Sequence, residues 1–438
     1  MAGSLFAQQG ERIVIVGDSL IGRTEKGMQI REVIGNVVMT QKDVRITCNR
    51  AIQYLSQNEA ELIGNVIATQ DSITIKSEQA YYYGNREYVF SDTTVWLNDG
   101  NMNLTAENGY YYFNSKTSYF YDDVYLEDTS RTMVSDKLTY YQDINRAVAS
   151  GSVIIRDSVS SIAADSIIHY RDNGNSFAYR NIKITEEGNS VSILGNYLED
   201  FPERDYSRIT GEPMLMQIDT SASGNIDTLF IRSELMESVK DSTSKFVATD
   251  SVKILRGGFS SNNNYSVFYR DDDYIFTYHD DIEQERPVLW YDESQLVGDS
   301  VFIHLNENEL NWIDIRGNGF ILTQSELNEY RYDQISGSKI ELYFEDGDLA
   351  KANVLGNILS IYYMYDDDKP NGLIQSSAES AKLFFNENKV EDVRLYGLPA
   401  SEYHPEPVVK GNELDFTLPA FIIFTNRPLR NDFDYKRN

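Results

Sequence analysis

Apolar and polar residues alternate with a period of two through the first half of the chain, in short runs divided by polar turns. The stretch "REVIGNVVMTQKDVRITCNRAIQY" is followed 29 residues later by the similar "AELIGNVIATQDSITIKSEQAYYY". Aligned on the valine of "GNV", Val37, Val66, Val95, Val124, Val153 and Ile182 stand 29 residues apart. Self-similarity at one fixed period is the mark of a stacked repeat architecture. Alternation with one apolar face predicts half-buried strands, two to a repeat.

The first predicted strand of each repeat presents Val37 and Met39, then Val66 and Ala68, Val95 and Leu97, Val124 and Leu126, Val153 and Ile155 on one face. The opposite face is mixed, as in Trp96/Asn98 and Tyr125/Glu127. Turns follow in constant phase at "QKD", "QDS", "NDGN", "EDTS" and "RDS", built from residues that favour tight reversals. The second strand continues the apolar face with Ile46, Ile73, Ile75, Leu104, Met133 and Ile162. A polar pair such as Asn49-Arg50 or Glu78-Gln79 then interrupts the parity, which predicts a bend or bulge at that pair. Two further ladders keep the period: Tyr54, Tyr83, Tyr112, Tyr141, Tyr170, and Asn49, Glu78, Glu107, Asp136, Asp165.

The regular spacing fails after Ile193, and the theme returns more loosely at "ATDSVKI", "VGDSVFI", "SGSKIEL", "GNGFILT" and "GNILSIY". The expected organisation is a leader remnant or disordered start (1–10), a repeat module (11–198), an irregular connector (199–245), a second module (246–425) and a tail (426–438). The opening "MAGSLFAQQG" resembles the end of a secretory signal peptide and its cleavage site.

Charge narrows the partners. With 68 Asp+Glu against 39 Lys+Arg the chain carries −29, which disfavours nucleic acid. The single cysteine, Cys48, rules out an internal disulfide and reads as a small core residue. The runs "RDDDY" and "YDDDKPNG" lack the alternating ligand spacing of a calcium loop. The four histidines lie far apart in sequence, and no phosphate-cradling loop or nucleophile elbow is present. No catalytic residue, metal or cofactor is expected.

The recurring "GNV-x-hydrophobic-T", clearest at Gly35-Asn36-Val37 and Gly64-Asn65-Val66, with Ala164-Asp165-Ser166-Ile167 in the second strand, resembles the OstA-like/LptA family of lipopolysaccharide-transport proteins. "ITGEPMLMQID" and "DTLFIRSELM" resemble the long form of Bacteroidetes-type bacteria. The resemblance implies an all-β fold: an elongated, V-shaped β-jellyroll (β-taco) of stacked repeats, here in two consecutive modules. It also implies a non-enzymatic periplasmic carrier, associated with the outer membrane, that holds lipid A acyl chains in an apolar groove. The implied partners are lipopolysaccharide or another acylated lipid, and related jellyrolls joined end to end by strand addition; self-oligomerisation is a further option.

On that reading the groove is lined by the apolar face given above. Periodicity alone leaves that face open to two uses, a filled core or an open trough. The tyrosine ladder likewise fits either stacking or contact at the groove mouth. Two other functions remain alternatives: a parallel β-helix enzyme acting on polysaccharide, with the acidic ladder as its candidate chemistry, and a structural or adhesive repeat protein.

Overall fold

A computed structural model describes residues 12–435, apart from 43, 187–189, 221–225, 241–243, 270–271, 273, 279–285, 307–308, 346–347 and 387–388. The expected leader remnant (1–10) and most of "RDDDY" lie outside the described residues. The fold is all-β, and the described strand pairings are antiparallel. The chain divides into two compact units, Met1–Gly188 with Tyr197–Glu203, and Asn189–Asn196 with Arg204–Asn438. The second unit takes up the strands Tyr206–Thr210, Met214–Thr220, Ile226–Arg232 and Leu235–Val239. Its last strand is Ala400–His404.

The first unit is a meander in which one 29-residue repeat is one strand up and one strand down. It opens with β1 (Val14–Val16) and β2 (Ser19–Glu25), both paired on β3 (Met28–Gln41). Then come β4 (Val44–Tyr54), β5 (Glu59–Gln70) and β6 (Ile73–Tyr83), each paired with the one before. Every long strand breaks its register once near the middle. On β3 the shift falls between Ile34 and Val37, opposite Arg50 and Cys48. The two legs of each strand therefore belong to two walls that meet along a corner.

The corner has a repeated chemistry. Gly35-Asn36, Gly64-Asn65, Gly317-Asn318 and Gly356-Asn357 are tandem left-handed residues. Glycine takes that conformation freely and asparagine is among the residues that tolerate it best. At Gly64 a Cβ would meet Asn49 at 2.8 Å, so the position excludes a side chain on two grounds. In the first unit the residue opposite each corner belongs to the polar ladder; in the second, Gly317 and Gly356 face Asp299 and Ser338. Glu107 donates its backbone N–H to the Asp122 carbonyl, and Asn181 donates its side-chain amide to Asp165. The predicted bulge therefore sits on the neighbouring strand. The two extra residues are Gly35-Asn36, and Asn49 of the expected pair is the single residue facing them.

Candidate functional site

A one-residue step across the corner explains the inner surface of the first unit. On β6, Ile73 and Ile75 point inward before the corner, and Ala80 and Tyr82 after it. Odd positions give way to even ones because β6 places one residue, Glu78, where β5 places two. The first wall is the face read from the sequence. Val37, Met39, Ile46, Val66, Ala68, Ile73, Ile75, Val95, Leu97, Leu104, Val124, Met133 and Val153 are buried, and Leu126, Ile155 and Ile162 are half-buried. Cys48 is buried on the same wall, where burial pushes its thiol pKa up. On the strands that place one residue at the corner, the second wall escapes a reading that holds parity constant: Ala51, Ala80 and Leu138 are buried there. On the bulged strands parity is kept, and the buried Val33, Leu62 and Phe120 continue the face of the first wall.

The far ends of the walls form the mouth. In the early rungs they are latched together by polar side chains at constant spacing. Tyr82 donates its hydroxyl to Gln41 Oε1 at 2.7 Å, and Gln41 Nε2 donates to the Gly84 carbonyl at 3.2 Å. One repeat on, Tyr111 donates to Gln70 Oε1 at 2.7 Å, and Gln70 Nε2 donates to the Phe113 carbonyl at 3.4 Å. Outside these latches lie the ion pairs Lys42–Glu87 and Lys116–Asp71. Beneath them the interior is filled: the void bounded by Val66, Ala68, Val95, Tyr111 and Phe120 measures about 20 Å³, too small for an acyl chain.

The next rung is polar. Arg171 is paired with Asp99 and donates to the Tyr140 hydroxyl at 3.1 Å. Tyr140 in turn donates to Asn145 Oδ1 at 3.2 Å. Burial would raise the Asp99 carboxyl, but Arg171 and the amides of Asn101 and Met102 outweigh it and hold the pKa below the usual range. These groups, with Ser72, Gln142 and Asp172, surround a polar cavity of about 400 Å³.

Beyond this rung the latch chemistry changes. At the positions of Gln41 and Gln70, Asp128 and Asp157 use their carboxylates on their own turns, accepting from the amides of Ser130 and Arg131, and of Val159 and Ser160. His169 replaces the latch tyrosine and contacts Ser176 at 3.0 Å. Here the wall residues Leu126, Ile155, Ile162 and Ile184 are half-buried, whereas Met39, Ile46, Leu97 and Leu104 in earlier rungs are fully covered.

The tyrosine ladder read from the sequence points the other way. Tyr83 stacks on Tyr88 at 4.6 Å between centroids, and Tyr88 on Tyr112 at 5.0 Å. It is an aromatic surface on the outer side of the second wall. The inward ladder is its immediate neighbour, Tyr82, Tyr111 and Tyr140. The same 29-residue spacing marks it, once the parity change at the corner is counted.

Residues 11–107, which include the Gln41–Tyr82 latch, match the family model described as OstA-like protein. No curated protein matches the chain.

Proposed function

We propose that the protein is a carrier of an acylated lipid, of the lipopolysaccharide class, that works in the periplasm as an LptA-like bridge component. The observation that carries this reading is the change along one apolar seam. It is filled and latched at the early rungs, then unlatched and only half-buried at Leu126, Ile155, Ile162 and Ile184. Sequestering a chain of about a dozen CH2 groups is favourable by on the order of 10 kcal/mol. A trough of nearly equivalent rungs shares that energy among many similar positions, so a chain slides without a deep trap. The match of residues 11–107 to OstA-like proteins supports the same reading.

The first strands supply a docking mode. Among the described residues β2 pairs with β3 alone, and its exposed Leu20 and Ile21 suit addition of another sheet by strand pairing. The acidic ladder occupies the corners, which favours a structural role over saccharide chemistry.

The test is site-specific photocrosslinking in the full chain. A benzophenone side chain at Leu126 or Ile155 is expected to capture a lipopolysaccharide probe, and one at the outward-facing Glu127 to capture none. Equal labelling at Leu126 and Glu127, or none at either, overturns the carrier reading.

A further inference from the structure

The second unit closes its mouth with a different part of the chain. After the strand Ala400–His404, residues 405–435 form no strand; they carry one helical turn, Glu406–Val409, and two 3-10 turns. They run back along the unit, from its last rungs to its first. Val409 and Leu418 pack on Phe320, Leu322, Ile361, Tyr363 and Leu373. Phe424 follows, on Val288, Trp290 and Val297. Phe433 ends the path on Met214 and Phe230.

The fastenings are side chains that reach up from the walls. Gln334 Nε2 donates to the Phe416 carbonyl at 3.3 Å, and its Oε1 accepts from the Leu418 amide at 2.8 Å. Gln295 repeats the device, donating to the Ile422 carbonyl and accepting from the Phe424 amide, both at 2.8 Å. Arg331, only 1% exposed, grips Glu406 with two nitrogens at 2.8 and 3.1 Å and reaches Glu413 at 3.3 Å. Lys253 pairs with Asp432 at 2.9 Å. No strand ladder binds the segment, so its backbone can leave without breaking a sheet.

We propose that the mouth of the second unit is a second acyl-chain site, held shut by residues 405–435, and that a lipid enters only when this segment lifts. The proposal rests on the lipid-carrier reading of the first unit. The seat is a succession of three apolar clusters, of the side-chain chemistry an acyl chain requires, and the segment covers them with Val409 and Leu418, with Phe424, and with Phe433. Its outer side exposes Ile422 and Ile423, 57% and 47% accessible. An arriving acyl chain therefore meets apolar surface before the segment moves.

The experiment uses full-length protein, the fluorescent fatty acid cis-parinaric acid for affinity, and a lipopolysaccharide probe for crosslinking. Benzophenone is placed either at Leu126 or at Tyr332, which packs beneath Phe421. Wild type is expected to label at Leu126 and barely at Tyr332. Gln295→Ala with Gln334→Ala removes four hydrogen bonds to the segment. It is expected to raise labelling at Tyr332 by about tenfold or more, the equivalent of about 1.4 kcal/mol, with labelling at Leu126 unchanged. A second, high-affinity class of parinaric acid sites appears with it.

Phe424→Ala, which loosens the segment without touching a wall, gives the same result to a lesser degree, and covers the case in which the double variant loses its strand signal. Labelling at Leu126 with no gain at Tyr332 in either variant overturns this proposal alone, as does equal labelling at Tyr332 in wild type and variants. Labelling at neither position overturns the carrier reading and this proposal together.

Discussion

The two units close their mouths with the same side chain and different partners. In the first, Gln41 and Gln70 reach the turn of the opposite wall, at the carbonyls of Gly84 and Phe113, 43 residues further along the chain in both cases. In the second, Gln334 and Gln295 reach a separate segment, 84 and 129 residues further along. A glutamine amide suits both tasks because it offers a donor and an acceptor: in the first unit to a turn carbonyl and a tyrosine hydroxyl, in the second to a carbonyl and an amide of the segment. The consequence differs. A closure made from the turns of the walls opens only if the walls move. A closure made from a terminal segment opens by peeling.

The comparison is broken most severely at Glu406. Glu406→Ala leaves the buried Arg331 guanidinium with Glu413 alone. It is expected to cost on the order of 3 kcal/mol, because a buried charge that loses its bidentate partner and keeps one longer contact is poorly compensated. Peeling predicts that the loss appears as faster amide exchange over 405–435, with the first unit unchanged. Cooperative unfolding of the whole chain would remove the distinction between the two closures.

Acid should act in the same direction. The hydrogen bond from Arg331 holds the Glu406 carboxyl below its usual pKa, and the Leu429 amide does the same for Asp432. Both are groups whose folded pKa is depressed. Their contribution is full above the ordinary carboxylate range and is lost as the pH falls through and below it. Exchange over 405–435 should therefore rise on acidification before strand signal is lost.

A smaller effect is expected at Gln70. Gln70→Ala removes the shorter of two bonds made by the Tyr111 hydroxyl, which keeps Gln142 Oε1 at 3.3 Å, together with the side-chain donor to the Phe113 carbonyl, and should lower stability by about 1 kcal/mol in denaturant unfolding. Opening of the latch should also expose Leu97 to crosslinking by a lipid probe; continued protection of Leu97 would show that the early rungs are sealed by packing alone.

The corners carry similar or smaller effects. Gly64→Ala should cost at least about 1 kcal/mol from the left-handed backbone and the approach to Asn49. The reverse change at an aspartate corner, Asp122→Gly, relieves a left-handed residue at φ 65° and should stabilise by a few tenths of a kcal/mol to about 1. Equal thermal shifts of the same sign at both positions would refute the corner argument.

Much of the first wall was legible because its signal is local. Val66, Ala68, Ile73 and Ile75 fall on one parity of two adjacent strands, and repetition at 29 residues separates that signal from chance. On the strands that face the bulges, the second wall was hidden by one residue. Glu78 faces a two-residue bulge, so Ala80 and Tyr82 carry the inward parity while Tyr81 and Tyr83 carry the outward one. Holding parity constant selects Tyr83, whose ring stacks outside on Tyr88, and passes over Tyr82, whose hydroxyl latches the mouth.

The sequence by itself determined the strands, their period, the all-β class and the apolar identity of the seam, since each follows from alternation and turn chemistry within one repeat. Only the tertiary structure decided where the seam is fully covered and where it is half-buried, and which contacts cover it. Those outcomes depend on contacts between residues 41 and 84, 99 and 171, or 295 and 424. The first of these recurs one repeat on at 70 and 113, so its period is written in the sequence but its partner is not; for the other two the chain length between the partners is set by the number of rungs and not by the chemistry of any one of them.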